Sequence, residues 1–193
     1  NAGTAVAGPL EFVPLRQLRE QFDVNFLGQV AVTQEFLPLL RREQGRIINM
    51  SSISGRMAFP LLGPYAASKF ALEAFTDSLR VELRPWQMPV ICIEPGVVDT
   101  PIWEKARTAN LEMIESLPPQ ALELYGDLIK TVDERTRQNR GIPVRQVADT
   151  VIQALTAARP KPRYVVGRDA KQALWLNYLP VRWRDWLISF NLR

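Results

Sequence analysis

Apolar residues along the chain follow two kinds of pattern. They recur at helical spacing in residues 15–43, 64–84, 121–138 and 144–158, which predicts amphipathic helices. Short continuous apolar runs at residues 47–52 and 90–94 are typical of buried strands, and residues 163–166 form a last short strand. The tail that follows, residues 168–193, is predicted to be helical. Strands and helices therefore alternate, as they do in an open α/β sheet.

The first predicted helix carries a polar residue in the middle of its apolar stripe. That residue is Asn25, and by pattern alone it is a buried amide satisfied by local backbone groups. Pro38 predicts a kink or a break near the end of the helix, because proline lacks the backbone N–H. Residues 4–14, which precede the helix, are predicted to form a loop. The stripe consists of Leu15, Leu18, Phe22, Phe26, Val30, Leu37 and Leu40.

The second helix brings a tyrosine and a lysine onto one face. Tyr65 and Lys69 are four residues apart, after Pro64 in the first turn. An ammonium group favours the phenolate, so we expect Lys69 to lower the pKa of Tyr65 from about 10 and make it a general acid or base. Ser52 ends the first strand at its carboxyl end, where open α/β sheets carry their chemistry. On its own such a pair is more typical of a helix surface, so the assignment depends on its surroundings.

Composition excludes several classes of protein. With 193 residues, 47% of them hydrophobic, the chain can bury one sizeable core and is not typical of a disordered protein. It has no apolar run of about 20 residues, and its first residues do not resemble a signal peptide. The absence of histidine excludes Ser-His hydrolases and most zinc sites. The single cysteine, Cys92, cannot form an internal disulfide, which indicates a reducing compartment such as the cytoplasm.

A set of polar residues and short motifs points to a family. It consists of Asn25, Ser52, Tyr65 and Lys69, with Asn-Ala-Gly at residues 1–3 and Pro-Gly-Val-Val-Asp-Thr at residues 95–100. In this order and spacing the set resembles the short-chain dehydrogenase/reductase family, and within it the retinol and hydroxysteroid dehydrogenases. The resemblance covers most of the chain and is strongest over residues 1–103.

The resemblance implies an α/β, Rossmann-like fold with a doubly wound parallel sheet. Residues 1–193 would form a single C-terminal portion of that domain, with strands four to seven of a seven-stranded sheet. Residues 1–3 would end strand four. The family's glycine-rich turn, which cradles the cofactor pyrophosphate, has no counterpart here because the ten glycines are scattered.

The family transfers hydride between a nicotinamide cofactor, NAD or NADP, and an alcohol or ketone. By resemblance, Tyr65 exchanges the substrate proton, and Lys69 lowers the tyrosine pKa and bonds the nicotinamide ribose. Ser52, which the 13-residue spacing to Tyr65 favours over Ser51, would bond the substrate oxygen. Asn25 would distort its helix and hold a water that links the lysine to solvent. The resemblance implies no metal, and it leaves the choice between NAD and NADP open.

The resemblance also implies a set of cofactor-binding residues, namely Asn1, Ala2, Gly3, Tyr65, Lys69, Pro95, Gly96, Val98 and Thr100. Val98 would lend backbone groups to the nicotinamide carboxamide, and Gly96 suits a close approach of backbone to ligand. Thr100 would lie beside the nicotinamide. The sequence fits Thr100 equally well as the N-cap of a helix opened by Pro101.

Two segments are candidates for the substrate pocket. Residues 101–142 correspond to the substrate lid of the family, and their apolar content favours a steroid, a retinoid or a long-chain alcohol or ketone. A lid that merely closes on its own domain would need apolar residues too. The residues concerned are Ile102, Trp103, Met113, Ile114, Leu117, Leu124, Tyr125, Leu128 and Ile129. Residues 56–62, apolar for a loop, would form either one wall of the pocket or packing beneath the second helix.

The tail combines basic and aromatic residues. From residue 159 to 193 there are eight Lys or Arg and two Asp or Glu, a net charge of +6, and since the whole chain carries +4, residues 1–158 carry −2. Trp175, Trp183 and Trp186 lie in the same segment. This composition is that of an interfacial helix on an anionic membrane, or of a pair of helices that close the far side of the sheet or the mouth of the pocket, with their arginines in solvent. It does not favour nucleic acid as a partner.

Two further expectations concern assembly and activity. The resemblance implies a homodimer or homotetramer that uses the helices around Asn25 and Tyr65. The competing interpretation of the chain is a non-catalytic dinucleotide-binding or interaction module, or an inactive fragment.

Overall fold

The computed structural model describes residues 1–100, 117–139, 141–190 and 192. Its helices are α1 (Leu15–Phe22), α2 (Gly28–Arg42), α3 (Gly63–Glu82), α4 (Pro119–Gln138), α5 (Val144–Thr156), α6 (Arg168–Trp175) and α7 (Val181–Phe190). Its strands are β1 (Ile47–Met50), β2 (Val90–Pro95) and β3 (Arg163–Val166). None of the helices in these described residues is long and apolar enough to cross a membrane.

The three strands form one parallel sheet in the order β1-β2-β3. Ile47 pairs with Val90 at the start of β1, and Cys92 pairs with Arg163 at the start of β3. Every residue of the central strand, β2, is buried, which agrees with the continuous apolar run that predicted it. The carboxyl ends of all three strands therefore meet along one edge.

Helices cover both faces of the sheet. One face packs against α2 and α3 through a buried cluster of Ile47, Leu79, Leu83, Met88 and Val90, with Leu37 and Leu40 beside it. The other face packs against α5 through Ile91, Ile93, Ala154 and Val166, with Val147 and Val151 beside them. A parallel sheet between two helical layers is the doubly wound α/β arrangement that the resemblance implies, so the predicted fold class is confirmed.

The first predicted helix is one continuous helical stretch with a distorted centre. A π-helical turn, Asp23–Leu27, joins α1 to α2, and Asn25 is its buried residue. The expected distortion around Asn25 is therefore present. Of the kink or break expected at Pro38, the break is wrong, because α2 continues through that residue to Arg42, and the kink stays a prediction. Leu37 and Leu40 pack on the core around the proline, and this packing maintains the helix despite the missing N–H.

The expected end of a fourth strand is absent from the described residues. Residues 1–3 belong to none of the three strands. The next residue, Thr4, uses its backbone differently: its N–H donates to Asn25 Oδ1 and its carbonyl accepts from Asn25 Nδ2. The side chain of Asn25 thus satisfies both backbone groups of the first residue of the predicted loop.

Two helices that follow β2 contact earlier parts of the chain. Tyr125 on α4 donates to Glu11 Oε2 at 2.9 Å and packs edge-on against Phe12. In the tail, α6 contacts β3 and the turn Ile53–Gly55, and Asn177 Nδ2 donates to the carbonyl of Arg56 at 2.9 Å. The first part of the tail therefore closes the sheet beside β3. Ile102, Trp103, Met113 and Ile114 of the expected lid lie outside the described residues.

Candidate active site

A cleft of about 800 Å³ opens at the carboxyl ends of the strands. It brings together most of the predicted site residues, namely Asn1, Gly3, Ser52, Tyr65, Lys69, Pro95, Gly96, Val98 and Thr100. Asn25 and Ala2 do not line it. Its remaining wall consists of Ser51 and of apolar residues from β1 and α5, namely Ile48, Met50, Val144, Val147, Ala148, Val151, Ile152 and Leu155. Residues 56–62 do not line this cleft, and Met57 is almost fully buried, which supports the packing interpretation of that loop.

Ser52 lies between the ends of β1 and β2. Its backbone is extended, and its hydroxyl oxygen accepts from the N–H of Ser54 at 3.1 Å. The same hydroxyl lies 3.5 Å from the carbonyl oxygen of Pro95, to which it can donate a long hydrogen bond. It also forms a hydrogen bond with the side chain of Tyr65. The serine hydroxyl is therefore held beside the phenol at the strand ends.

Tyr65 occupies the first turn of α3 and is buried. Burial raises its pKa above the usual value, because the phenolate is poorly solvated there, while the hydrogen bond with Ser52 acts to lower it. The expectation that the pKa of Tyr65 is lowered is therefore wrong for this structure. The Lys69 nitrogen lies 5.9 Å from the centre of the tyrosine ring. At neutral pH Tyr65 carries its proton and can donate it.

Lys69 extends from α3 toward the end of β1. Its Nζ donates to the carbonyl of Met50 at 2.8 Å, and the residue is only 5% exposed. Burial lowers the pKa of Lys69 to about 8, against opposing influences from Cys92 and Glu73. Lys69 is therefore close to losing its charge just above neutral pH, where most lysines are fully protonated.

Asn25 serves as a hydrogen-bonded anchor between three segments. Its Oδ1 accepts from the N–H of Thr4 at 2.8 Å, and its Nδ2 donates to the Thr4 carbonyl at 2.9 Å and to Ser68 Oγ at 3.0 Å. Ser68 Oγ in turn donates to the carbonyl of Tyr65 at 2.8 Å. The amide thus ties the chain after Gly3 to the first turn of α3. The water relay that the resemblance assigns to Asn25 stays a prediction.

The loop after β2 contacts α6 at Gly96 and pairs with Ile142 on either side of Val98. A side chain at Gly96 would meet the carboxylate of Asp169, since a Cβ there would lie 2.3 Å from its Oδ2. Asp169 also accepts from the N–H of Val97 at 3.2 Å. A larger residue at position 96 would therefore have to displace the Asp169 carboxylate on α6. Further on, Val97 and Asp99 exchange backbone hydrogen bonds with Ile142, and Val98 lies between them on the cleft wall.

Three polar residues of the site were not among the sequence predictions. Ser51 lines the cleft, and its buried hydroxyl has no hydrogen-bond partner among the described residues. Ser68 connects Asn25 to the first turn of α3. Glu73 lies four residues after Lys69 on the same buried face. The i, i+4 spacing from Tyr65 through Lys69 to Glu73 could have revealed the last of them.

The cleft fits a polar ligand that reaches the strand ends. The unpaired hydroxyl of Ser51 is a buried polar group that a ligand could satisfy. The Lys69 ammonium lines the same cleft and supplies a cation. Donors of these kinds suit the hydroxyl and amide groups of a nicotinamide nucleoside.

Comparisons with known proteins indicate the family of the chain. Residues 1–111 match the model of a family described as short chain dehydrogenase. NADPH-dependent 3-dehydrocapnine reductase of Ornithobacterium rhinotracheale is 41% identical over 201 residues, which cover 100% of this chain and 69% of that protein. Retinol dehydrogenase 5 of Mus musculus is 37% identical over 100% of this chain and 63% of its own length.

A solved structure gives the same result. The crystal structure of a short chain dehydrogenase from Burkholderia cenocepacia in complex with NADP is similar, with a TM-score of 0.72 and 26% identity. The match covers 100% of this chain and 67% of that one. The chain thus spans between 63% and 69% of the length of these three relatives. The matched residues include Ser52, Tyr65 and Lys69, and the chain belongs to the short-chain dehydrogenase/reductase family.

Proposed function

We propose that the protein is an NAD(P)-dependent oxidoreductase that transfers hydride between a nicotinamide cofactor and an alcohol or ketone. The observation that carries the proposal is the convergence of Ser52, Tyr65 and Lys69 on one cleft at the strand ends. A hydroxyl, a phenol and an ammonium group together can bind and protonate a carbonyl oxygen. The family and its NADP-bound structural relative support the same chemistry.

Each of the three side chains has a separate role in this proposal. A bound nicotinamide supplies or accepts the hydride. Tyr65, which carries its proton at neutral pH, donates that proton to the substrate oxygen during reduction and takes it back during oxidation. Ser52 hydrogen-bonds the same oxygen and stabilises its developing charge. Lys69 stabilises negative charge on the tyrosine oxygen after the proton has left.

The cofactor-binding residues are proposed from their places on the cleft wall. Asn1, Gly3, Pro95, Gly96, Val98 and Thr100 surround the catalytic side chains. Val98 is well suited to bind the carboxamide, because its neighbours Val97 and Asp99 make the backbone bonds to Ile142. Asn25 and Ala2 would act indirectly, by holding the chain next to Gly3. NAD and NADP both remain consistent with this set.

We propose an apolar alcohol or ketone as the substrate. Support comes from the apolar wall of the cleft, where Ile48 and Met50 of β1 face Val147 and Val151 of α5. Leu117, at the described end of the expected lid, is buried. Apolar pockets with few polar groups favour ligands of the same kind. A relative named retinol dehydrogenase 5 points in the same direction.

We propose a homodimer, or a homotetramer built from it, that buries exposed apolar residues of α2 and α3. Val32, Phe36 and Leu39 lie on one face of α2 at spacings of four and three residues, and all three are exposed. Phe70 and Val81 on α3 are exposed as well. Adjacent apolar faces on two long helices suit an isologous contact.

We propose that the tail contacts an anionic membrane surface on its cytoplasmic side. The cytoplasm is proposed because the single cysteine, Cys92, is a free thiol, which is typical of a reducing compartment. Support comes from α7, on which Trp183, Trp186 and Phe190 lie at i, i+3 and i+7, with exposed fractions of 62%, 58% and 62%. The rings of Trp186 and Phe190 stack at 5.4 Å. Arg182 is exposed beside them, and the segment from residue 159 onward carries a net charge of +6. An aromatic face among basic residues binds lipid headgroups.

Replacement of the phenol tests the catalytic role. Because Tyr65→Phe removes the proton donor, turnover of a long-chain secondary alcohol falls by about 1,000-fold while the far-ultraviolet circular dichroism stays unchanged.

A series of substrates of increasing chain length tests the apolar pocket. In the unmodified protein, kcat/KM rises by up to about fourfold for each added methylene of the substrate. NAD(P)H absorbance at 340 nm measures both effects.

Tyr178→Phe is the matched control, since Tyr178 is 82% exposed and outside the cleft. Full activity is expected in this variant. Retention of activity by Tyr65→Phe would exclude Tyr65 as the acid. Binding of cofactor without any turnover in the unmodified protein would instead favour the non-catalytic dinucleotide-binding module.

A charge placed on α2 tests the proposed dimer. Phe36→Glu introduces a carboxylate into the exposed apolar face of α2, so the protein should sediment with half the mass of the unmodified protein in velocity ultracentrifugation. Leu124→Glu is the control, because Leu124 is exposed on α4, away from that face. A monomeric unmodified protein, or an unchanged dimer in Phe36→Glu, would contradict the proposed interface.

Vesicle binding tests the tail. The protein should sediment with phosphatidylcholine vesicles that contain phosphatidylserine, and binding should fall about tenfold in the double variant Trp183→Ser, Trp186→Ser. Trp86→Ser is the matched control, because Trp86 is also exposed but stacks beneath Arg41 on another part of the surface. Vesicle binding that the double variant retains, or self-association through the tail without vesicle binding, would overturn this proposal.

A further inference from the structure

A cluster of buried charges lies behind the catalytic side chains. The guanidinium of Arg163 on β3 bonds the carboxylates of Glu73 and Asp77 on α3, and that of Glu94 on β2 at 2.6 Å. Arg56 Nη1 lies 3.3 Å from the other oxygen of Glu94. Glu94 has no exposed side-chain surface, and Glu73 is almost as buried. The cluster therefore joins α3, β2, β3 and the loop that contains Arg56.

The cluster contains as many guanidinium groups as carboxylates. Asp77 also bonds Arg80, whose Nη1 lies 2.6 Å from its Oδ1, so three carboxylates face three guanidinium groups and the charges balance. Glu73 is the carboxylate nearest to Lys69 along α3, because it lies one helical turn beyond it on the same face. Asp77 lies a further turn away and is half-exposed. The negative charge that Lys69 experiences most strongly is therefore that of Glu73.

We propose that Glu73 is a positioning residue that keeps the ammonium of Lys69 charged beside Tyr65. Arg163 holds the Glu73 carboxylate in place and prevents it from turning toward the cleft. Lys69 itself binds the carbonyl of Met50, so its charge is balanced through space and not by direct contact with a carboxylate. The catalytic value of a charged Lys69 rests on the proposed function. The effect of Glu73 on the charge of Lys69 can be measured in the protein without ligand.

The other groups around Lys69 do not supply the same charge. The titratable groups that act on Lys69 from neighbouring positions are Glu73 and Cys92, and the ring of Tyr65 lies 5.9 Å from its nitrogen. Glu94, Arg163 and Arg56 belong to the network that holds Glu73. Cys92 donates its thiol to Glu73 Oε1 at 3.1 Å. Burial and Glu73 raise the pKa of this thiol, so it is uncharged at neutral pH. Glu94 is bonded by two guanidinium groups, which leaves Glu73 as the effective anion.

A metal site made of the same side chains fits the contacts less well. Glu73, Cys92 and Glu94 bring three ligand atoms within 4.8 Å of one another. However, the Arg163 guanidinium already bonds both carboxylates, and the thiol keeps its proton at neutral pH. A cation would have to displace an arginine that the fold holds with three carboxylates. These contacts are those of an internal ion network.

The sign of the effect on Lys69 follows from the charges. Burial favours the neutral amine and lowers the pKa of Lys69 to about 8, while the Glu73 carboxylate favours the ammonium. Without that carboxylate Lys69 loses its proton at a lower pH, within the neutral range. Much of the cation that stabilises the tyrosine oxygen would then be lost at neutral pH.

The experiment is an NMR titration of Lys69 in the full chain without cofactor. The five lysines carry 13C at the ε position, and Lys69→Arg identifies the signal of interest. The unmodified protein should titrate near pH 8, and Glu73→Gln should lower that midpoint by about one pH unit. Asp77→Asn is the matched control, because Asp77 also binds Arg163 but lies one helical turn further from Lys69. The Lys69 midpoint in this variant should equal that of the unmodified protein.

A second variant separates charge from loss of structure. Arg163→Gln removes a cation from the same network, so it should raise the Lys69 midpoint, opposite to Glu73→Gln. An unchanged Lys69 midpoint in Glu73→Gln would overturn the inference. A lower Lys69 midpoint in Arg163→Gln would overturn it as well, and this second test can be made even if Glu73→Gln does not fold. The titration requires no turnover, so it gives its answer whether or not Tyr65→Phe abolishes activity.

Discussion

The candidate site depends on stabilising one buried ammonium group, that of Lys69. A buried cation is costly unless polar or charged groups replace its contacts with water. Lys69 donates to the Met50 carbonyl at 2.8 Å and lies near the negative charge of Glu73. Met50 is the last residue of β1, so the hydrogen bond also fixes α3 against the end of that strand. Ser52 follows two residues later and reaches the phenol of Tyr65. The solvation of one charge thereby determines where the phenol and the hydroxyl lie.

A second constraint comes from the distorted helix. The π-helical turn places the side chain of Asn25 inside the protein, where it bonds Thr4 and Ser68. Ser68 is also bonded to the backbone of Tyr65, so the loop at the start of the chain and the catalytic helix share one anchor. Helix irregularities of this kind are common where function requires a particular geometry. The expected link from Lys69 to solvent would be built on this anchor.

Local pattern accounts for much of the structure. Residues 163–166 form β3 as predicted, and α3 begins and ends within two residues of its predicted limits. The i, i+4 spacing placed Tyr65 and Lys69 together, but their protonation depends on burial, which no local pattern reveals. Gly96 lies against the carboxylate of Asp169, and Glu73 is bonded by Arg163, which is 90 residues further along the chain, so no local pattern could predict either contact. The role of Asn25 came from the family resemblance, since pattern alone indicated only a buried amide.

The most direct test of hydride transfer at this cleft follows a label. The protein is incubated with a long-chain ketone and with NADH or NADPH deuterated at C4 of the nicotinamide, in separate reactions for each face of the ring. Mass spectrometry then locates the deuterium in the alcohol. Transfer from one face only, to the carbinol carbon, is the expected result. Formation of no labelled alcohol, although the cofactor binds, would show that the Ser52–Tyr65–Lys69 cleft is not a hydride-transfer site.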